Sequence, residues 1–181
     1  MKTIVIGDIH GRTIWKDIVN QEKEFDKFVF IGDYLDTHEN ISGEQQLSNL
    51  LDIIEFKKAN PDKVILLFGN HDFHYLDVNE RYSGFQNGYN YIFKDILKRD
   101  LKYFQMCYKQ DNILITHAGV SEVWCKNNNI DLNQDIEQQI NDLFDFKPFS
   151  FKFKGGKVGD KVQITWVDTE GDSRTDETVV S

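Results

Sequence analysis

Three times within its first 70 residues the chain runs through a short apolar segment and stops at a glycine followed by Asp or Asn. The endings are Ile6-Gly7-Asp8, Ile31-Gly32-Asp33 and Phe68-Gly69-Asn70. The runs Lys2 to Gly7, Lys27 to Ile31 and Lys63 to Phe68 read as buried strands, because they are short, apolar and bounded by glycine. Between them the spacing changes to that of helices. Thr13 to Asn20 carries Ile14, Trp15, Ile18 and Val19 at helical intervals. Ser42 with Gln45 forms a capping box, and Leu47, Leu50, Leu51 and Ile54 behind it make one apolar stripe. Pro61-Asp62 turns the chain into the third strand. Strand, helix, strand, helix, strand in this order predicts an α/β fold with a parallel core. Open sheets of this kind place ligands at the strand ends, where the Gly-Asp and Gly-Asn pairs fall.

The later chain is less regular. Asn90 to Lys98, Val120 to Lys126 and Gln134 to Phe144 read as helices. Lys102 to Lys109 and Asn112 to Thr116 read as strands around Gln110-Asp111. Phe149, Phe151 and Phe153 alternate with Ser150, Lys152 and Lys154, as in a half-buried strand. Gly155-Gly156 ends that segment, and Lys161 to Val167 reads as a late strand. The expected organisation is one domain over 1–167 and an acidic, flexible tail over 168–181.

Composition narrows the function. The 181 residues suit one ordinary domain, with no repeat and no linker. No run approaches the ~18 apolar residues of a membrane span, and Asp8 follows the first strand too soon for a signal peptide. Two cysteines, Cys107 and Cys125, give neither a disulfide framework nor metal-type spacing. A reducing cytoplasm is the expected setting. The formal charge of −9 opposes general binding to nucleic acid or anionic membrane, which needs clustered Lys and Arg. All 5 histidines lie at or before His117.

Four polar clusters follow apolar segments: Gly7-Asp8-Ile9-His10-Gly11, Gly32-Asp33-Tyr34-Leu35-Asp36, Gly69-Asn70-His71-Asp72 and Thr116-His117-Ala118-Gly119. If the strands lie side by side, Asp8, His10, Asp33, Asn70 and His117 converge at one sheet edge. A set of carboxylate, imidazole and amide donors suits Mn²⁺, Fe²⁺ or Zn²⁺.

The order of these clusters resembles the calcineurin-like metallophosphoesterases. It is nearest their phosphoprotein-phosphatase branch, which includes small bacterial and phage serine/threonine phosphatases and diadenosine tetraphosphate hydrolases. The likeness is good from Met1 to about Val120 and thin beyond. It implies a four-layer α-β-β-α sandwich with a two-metal site at the strand ends, most simply holding Mn²⁺. It also implies that Asp8 and His10 bind a first ion, Asp33 bridges, and Asn70 and His117 bind a second. His71 then assists the leaving group, oriented by Asp36; separately from the resemblance, Arg12 and Asn70 are the candidate substrate contacts.

Three departures qualify the likeness. Thr37 stands where the phosphatase branch places a phosphate-binding Arg, and Thr cannot supply a bidentate charged contact. Arg12 and Arg81 are the candidate replacements. Asp72 stands where the eukaryotic enzymes have Glu. No histidine after His117 can serve as the family's late metal ligand, so Asp168 and Glu170 become candidates and the second site is expected to be weaker. His38 and His74 match no required role and are expected in loops. The implied activity is hydrolysis of a phosphomonoester, including protein phosphoserine or phosphothreonine, by a metal-activated hydroxide. The alternatives are a diadenosine tetraphosphate-type pyrophosphohydrolase and a metal-binding protein with weak or no catalysis.

Overall fold

The computed structural model describes residues 2–76 and 81–143, and the backbone of two strands at 161–167 and 173–179. The expected strand at Phe149 to Lys154 lies outside them. Strands β1 (Thr3–Ile6), β2 (Lys27–Phe30), β3 (Val64–Leu67) and β4 (Phe104–Gln105) form one parallel sheet in the order β1-β2-β3-β4. Strands β5 (Cys107–Gln110) and β6 (Ile113–Thr116) form an antiparallel pair. The helices are α1 (Ile14–Gln21), α2 (Gly43–Ala59), α3 (Asn70–Leu76), α4 (Asn90–Arg99), α5 (Glu122–Asn127) and α6 (Ile136–Asp142).

Alternation along the strands builds the layers, because successive side chains point to opposite faces. Phe28, Phe30, Val64 and Leu66 face one way and pack with Trp15 of α1, Leu50, Ile53 and Ile54 of α2, and Phe93 and Leu97 of α4. Val29, Ile65 and Leu67 face the other way, against Tyr108 of β5 and Ile115 of β6. On the outer side of that pair, Cys107 and Leu114 pack with Cys125 of α5 and Ile140 of α6. The result is helix, sheet, sheet, helix: the expected α-β-β-α sandwich. Both cysteines are free and buried, and burial pushes the Cys107 thiol up to about 12, so it stays protonated.

Helix α2 begins as its sequence dictates. The Ser42 hydroxyl accepts from the Gln45 amide at 3.2 Å, and the Gln45 side chain accepts from the Ser42 amide at 2.8 Å. The same helix sends two buried amides towards the strand-end loops. Gln46 Oε1 accepts from the Asp36 amide at 2.8 Å. Asn49 accepts from the Trp15 indole at 2.9 Å and donates to the Arg12 carbonyl at 3.0 Å.

Three expectations are corrected. The third cluster is not a loop: Asn70 opens α3, because Gly69 ends β3 and the chain turns directly into a helix. The single strand expected over Lys102 to Lys109 is divided. A 3-10 turn at Leu101–Tyr103 leads to β4 in the parallel sheet, and β5 then begins in the second sheet after Met106. Ser173–Val179 is not a frayed tail but strand β8, paired antiparallel with β7 (Lys161–Val167). The backbone makes the ladder, and the sequence Ser173-Arg174-Thr175-Asp176-Glu177-Thr178-Val179 lacks the apolar alternation that would reveal a strand.

The clusters are fastened to one another by backbone contacts. Asp33 O accepts from the amides of Ile9 at 3.0 Å and His10 at 2.7 Å, joining the first and second loops. The second and third are joined by Asp72, which is fully buried. Its Oδ1 accepts from the amides of Tyr34 at 2.8 Å and Leu35 at 3.3 Å, and its Oδ2 from Gly69 at 3.0 Å. Burial and the neighbouring Asp33 push this carboxyl up, against the pull of those amides. Gly32 and Gly69 permit the approach. A Cβ on Gly32, whose φ is +110°, would sit 2.2 Å from the Gly69 nitrogen, and one on Gly69 would sit 2.1 Å from Asp33 Oδ1.

An Asp72→Ala change strands three buried amides, each costing roughly 1–3 kcal/mol. Urea unfolding should show a loss of at least about 3 kcal/mol. Asp52→Ala, which removes a half-exposed ion pair with Lys16, should cost under about 1 kcal/mol in the same assay.

Candidate metal centre

Asp8, His10, Asp33, Asn70 and His117 do converge. Asp33 is at the centre and is 3% exposed. Its Oδ1 is tied to the His71 amide at 2.9 Å. Its Oδ2 lies 3.9 Å from His10 Nε2 and 3.6 Å from His117 Nε2, between the two rings. Asp8 Oδ1 lies 3.9 Å from His117 Nδ1, and Asn70 Oδ1 lies 3.0 Å from His117 Nε2.

What stands behind each ring decides what it presents. His10 Nδ1 faces the carbonyls of Leu35 at 3.1 Å and Asp36 at 2.8 Å, and His117 Nδ1 faces the Ile31 carbonyl at 2.9 Å. A carbonyl only accepts, so His10 Nδ1 carries the proton and its Nε2 is left with a lone pair, whereas His117 faces an acceptor at each nitrogen, the Ile31 carbonyl and Asn70 Oδ1. The His10 lone pair, the Asn70 amide oxygen and the free oxygen of Asp33 therefore meet around His117 Nε2. Such a convergence calls for a cation, and these donors fit a divalent metal of the hard-to-borderline kind. Asp8, His10 and Asp33 alone hold their ligand atoms within 4.8 Å of one another. His10 and Asp33 adopt left-handed φ values of 45° and 50°, and so does Asp36 at 59°. Strain of this kind costs of order 1–3 kcal/mol per residue and collects at functional sites.

Beside this set lies a second one of different character. Asp36 is 1% exposed. Its Oδ2 accepts from His71 Nδ1 at 2.9 Å, and its Oδ1 accepts from the Tyr75 hydroxyl at 2.5 Å. Burial pushes this carboxyl up, but hydrogen bonds from His71, His74 and Tyr75 outweigh it and hold the group below the usual carboxylate range. Burial likewise works against a charged His71, and Asp36, Asp33 and Asp8 together overcome it and raise the imidazole. The His71 and His10 rings are 5.2 Å apart, edge to face, so this pair adjoins the metal donors.

His74 is the residue that the sequence misplaced. It is not a loop bystander; it is 2% exposed on α3, with Nε2 2.8 Å from Asp36 Oδ2. His71, His74 and Tyr75 stand at i, i+3 and i+4, which places them on one helical face. The spacing was visible in the sequence, but it carries meaning only once α3 is known to be a helix. His38 is exposed, as expected. Arg12 is held by Glu39, Nε to Oε1 at 2.7 Å, with its NH1 3.4 Å from the Asp8 carbonyl. Arg81 instead bonds Asn87 at 3.1 Å and lies over the Phe85 ring. Asp168 and Glu170, the candidate late ligands, lie outside the described residues.

Comparison with known proteins agrees with this geometry. The calcineurin-like phosphoesterase family model matches residues 1–179, and the chain belongs to that family. Among curated relatives, a protein named symmetrical bis(5'-nucleosyl)-tetraphosphatase from Methylobacillus flagellatus is 23% identical over 150 residues, covering 77% of this chain and 51% of the relative. One of the same name from a Marinomonas species is 27% identical over 152 residues, covering 77% and 52%. The chain thus spans about half the length of the curated relatives it matches. Among the described residues, no helix is long and apolar enough to cross a membrane.

The lowered Asp36 pKa gives a pH test. Its stabilising contribution is full above the unfolded value of roughly 3.9 and is lost as pH falls through the lower, folded value. Urea midpoints of wild type and Asp36→Asn, measured without metal, should therefore differ most above pH 5 and draw together towards pH 2.

Proposed function

We propose that this chain is a metal-dependent phosphoesterase that hydrolyses a phosphomonoester. One observation carries the reading: Asp33 Oδ2 lies 3.9 Å from His10 Nε2 and 3.6 Å from His117 Nε2, near enough to both for a carboxylate to bridge two cations. In this reading Asp8, His10 and Asp33 hold one divalent ion, and Asp33, Asn70 and His117 hold a second. When bound, such ions lower the pKa of water enough to supply hydroxide near neutral pH and offset charge gathering on the phosphate.

The remaining work falls to the chain itself. Arg12, tethered by Glu39 and leaning on the Asp8 carbonyl, is assigned to a phosphate oxygen in place of the absent Arg at position 37. Asn70 shares that contact. His71 keeps Nδ1–H directed at Asp36, and its Nε2, on the opposite side of the ring, is assigned to protonate the departing oxygen. Mn²⁺ is the expected ion in both sites. No histidine follows His117 in the sequence, and the second site is expected to fill less readily than the first.

A second reading is favoured by the relatives, whose printed name implies action on dinucleoside tetraphosphates. The metal donors address only a phosphate and serve either substrate.

Asp33→Asn should reduce Mn²⁺-dependent hydrolysis of p-nitrophenyl phosphate to background, and undiminished turnover would refute the bridging role. Rates on a phosphoserine peptide and on diadenosine tetraphosphate then separate the two readings. Calorimetric Mn²⁺ binding with no turnover on any of these would overturn the enzymatic assignment. Crystals soaked in Mn²⁺ should show lower anomalous occupancy at the second site than at the first.

A further inference from the structure

Asp36, His71 and His74 have the composition of a metal site, with ligand atoms within 4.8 Å of one another. The group behind His74 argues otherwise. Its Nδ1 accepts from the Tyr82 amide at 3.1 Å, and an amide only donates, so in the neutral ring the proton sits on Nε2. That N–H is buried, and the acceptor beside it is Asp36 Oδ2 at 2.8 Å, off the line of a well-aligned hydrogen bond. This is the reverse of His10, where carbonyls hold the outer proton and free the inner lone pair. One set of rings is arranged to receive a cation, and the other to deliver hydrogen-bond donors to a carboxylate.

The second donor to Asp36 is anchored in the same way. The Tyr75 hydroxyl accepts from the Gln86 amide at 2.9 Å and gives its own proton to Asp36 Oδ1. The segment that follows α3 thus sets both partners through two backbone amides, Tyr82 and Gln86. His74 is further packed by Tyr82, stacked at 5.6 Å, and by Phe85, edge-on at 4.9 Å. Nothing in metal binding or core packing requires an imidazole so placed, whereas orienting Asp36 does.

We propose that His74 is a positioning residue for the leaving-group acid: its Nε2–H, with the tautomer set by the Tyr82 amide, completes the donor shell of Asp36 and so fixes the His71 ring. The inference rests on the assignment of His71 as the acid. No bond is made or broken at His74. The proton that reaches the leaving oxygen comes from His71 Nε2, and Asp36 remains a carboxylate throughout. The slightly off-line contact matches acid–base sites at rest, whose hydrogen bonds tighten when substrate is bound.

The test joins a tautomer measurement to leaving-group kinetics. Long-range proton–nitrogen NMR of the metal-free wild type should show His74 protonated at Nε2. Protonation at Nδ1 overturns the inference, whatever the activity. Kinetically, His74→Phe keeps a ring and removes the donor, while His74→Gln returns a donor near the Nε2 position. On an alkyl phosphate, which needs an acid, His74→Phe should lose about 10-fold or more in kcat, and Gln should recover most of it. On p-nitrophenyl phosphate, whose leaving group needs little help, the loss should stay within about 3-fold. Calorimetric Mn²⁺ affinity should be unchanged in both variants. An equal loss on the two substrates overturns the positioning role. His71→Asn is the reference: if its loss is confined to the alkyl phosphate and that of His74→Phe is not, this inference alone fails. Should His71→Asn lose equally on both substrates, the acid assignment fails and takes the inference with it.

Discussion

The buried carboxylate of Asp72 is what the rest of the centre depends on. It gathers the amides of Tyr34, Leu35 and Gly69, and so binds the loop after β2 to the start of α3. Backbone N–H groups this deep need acceptors, and no water reaches them, so one side chain fixes the separation of two strand ends. Asp33 and Asn70 are each carried by one of those ends. The close approach of Gly32 and Gly69 exists only because neither has a Cβ. In the proposed two-ion centre a bridging Asp33 is useful only if its distance from its neighbours is fixed, and covalent chain and amide bonds fix it from both sides.

Much of this could be read from the sequence, for identifiable reasons. The first three strands and two helices follow from short apolar runs, helical spacing and a capping box, all of which are local signals. The first three Gly-containing clusters converge because parallel strands bring their C-terminal ends together, and the fourth joins them from the end of β6 in the second sheet. What stayed hidden depended on non-local pairing or on an unmarked boundary. Nothing in Lys102 to Lys109 reveals that the chain changes sheets at Met106, since both halves satisfy strand periodicity. Helix α3 starts inside a glycine-bounded polar cluster that also fits a loop, and this concealed His74. Strand β8 has a mostly polar sequence without strand alternation, and its identity comes from its pairing with β7.

Two clusters of similar composition lie within one ring's breadth of each other and do opposite things. Residue type hardly separates them, since Asp and His make up most of both. The backbone does. Carbonyls of residues 31, 35 and 36 stand behind the histidines of one set, and the Tyr82 amide stands behind His74 in the other. The fold therefore assigns chemistry to identical side chains by choosing which end of a peptide group they meet.

The division of one extended segment between β4 and β5 has a mechanical consequence. Asp8, Asp33 and Asn70 are carried by the parallel sheet, whereas His117 is carried by the second one, immediately after β6. Among the described residues, Val29, Ile31, Ile65 and Leu67 pack against Tyr108 and Ile115 between those two layers. The donor set is therefore split across a seam in the sandwich. Anything gripped by both halves acts as a rivet through that seam, so occupancy of the centre and the sliding stiffness of the two sheets are one property seen from two sides.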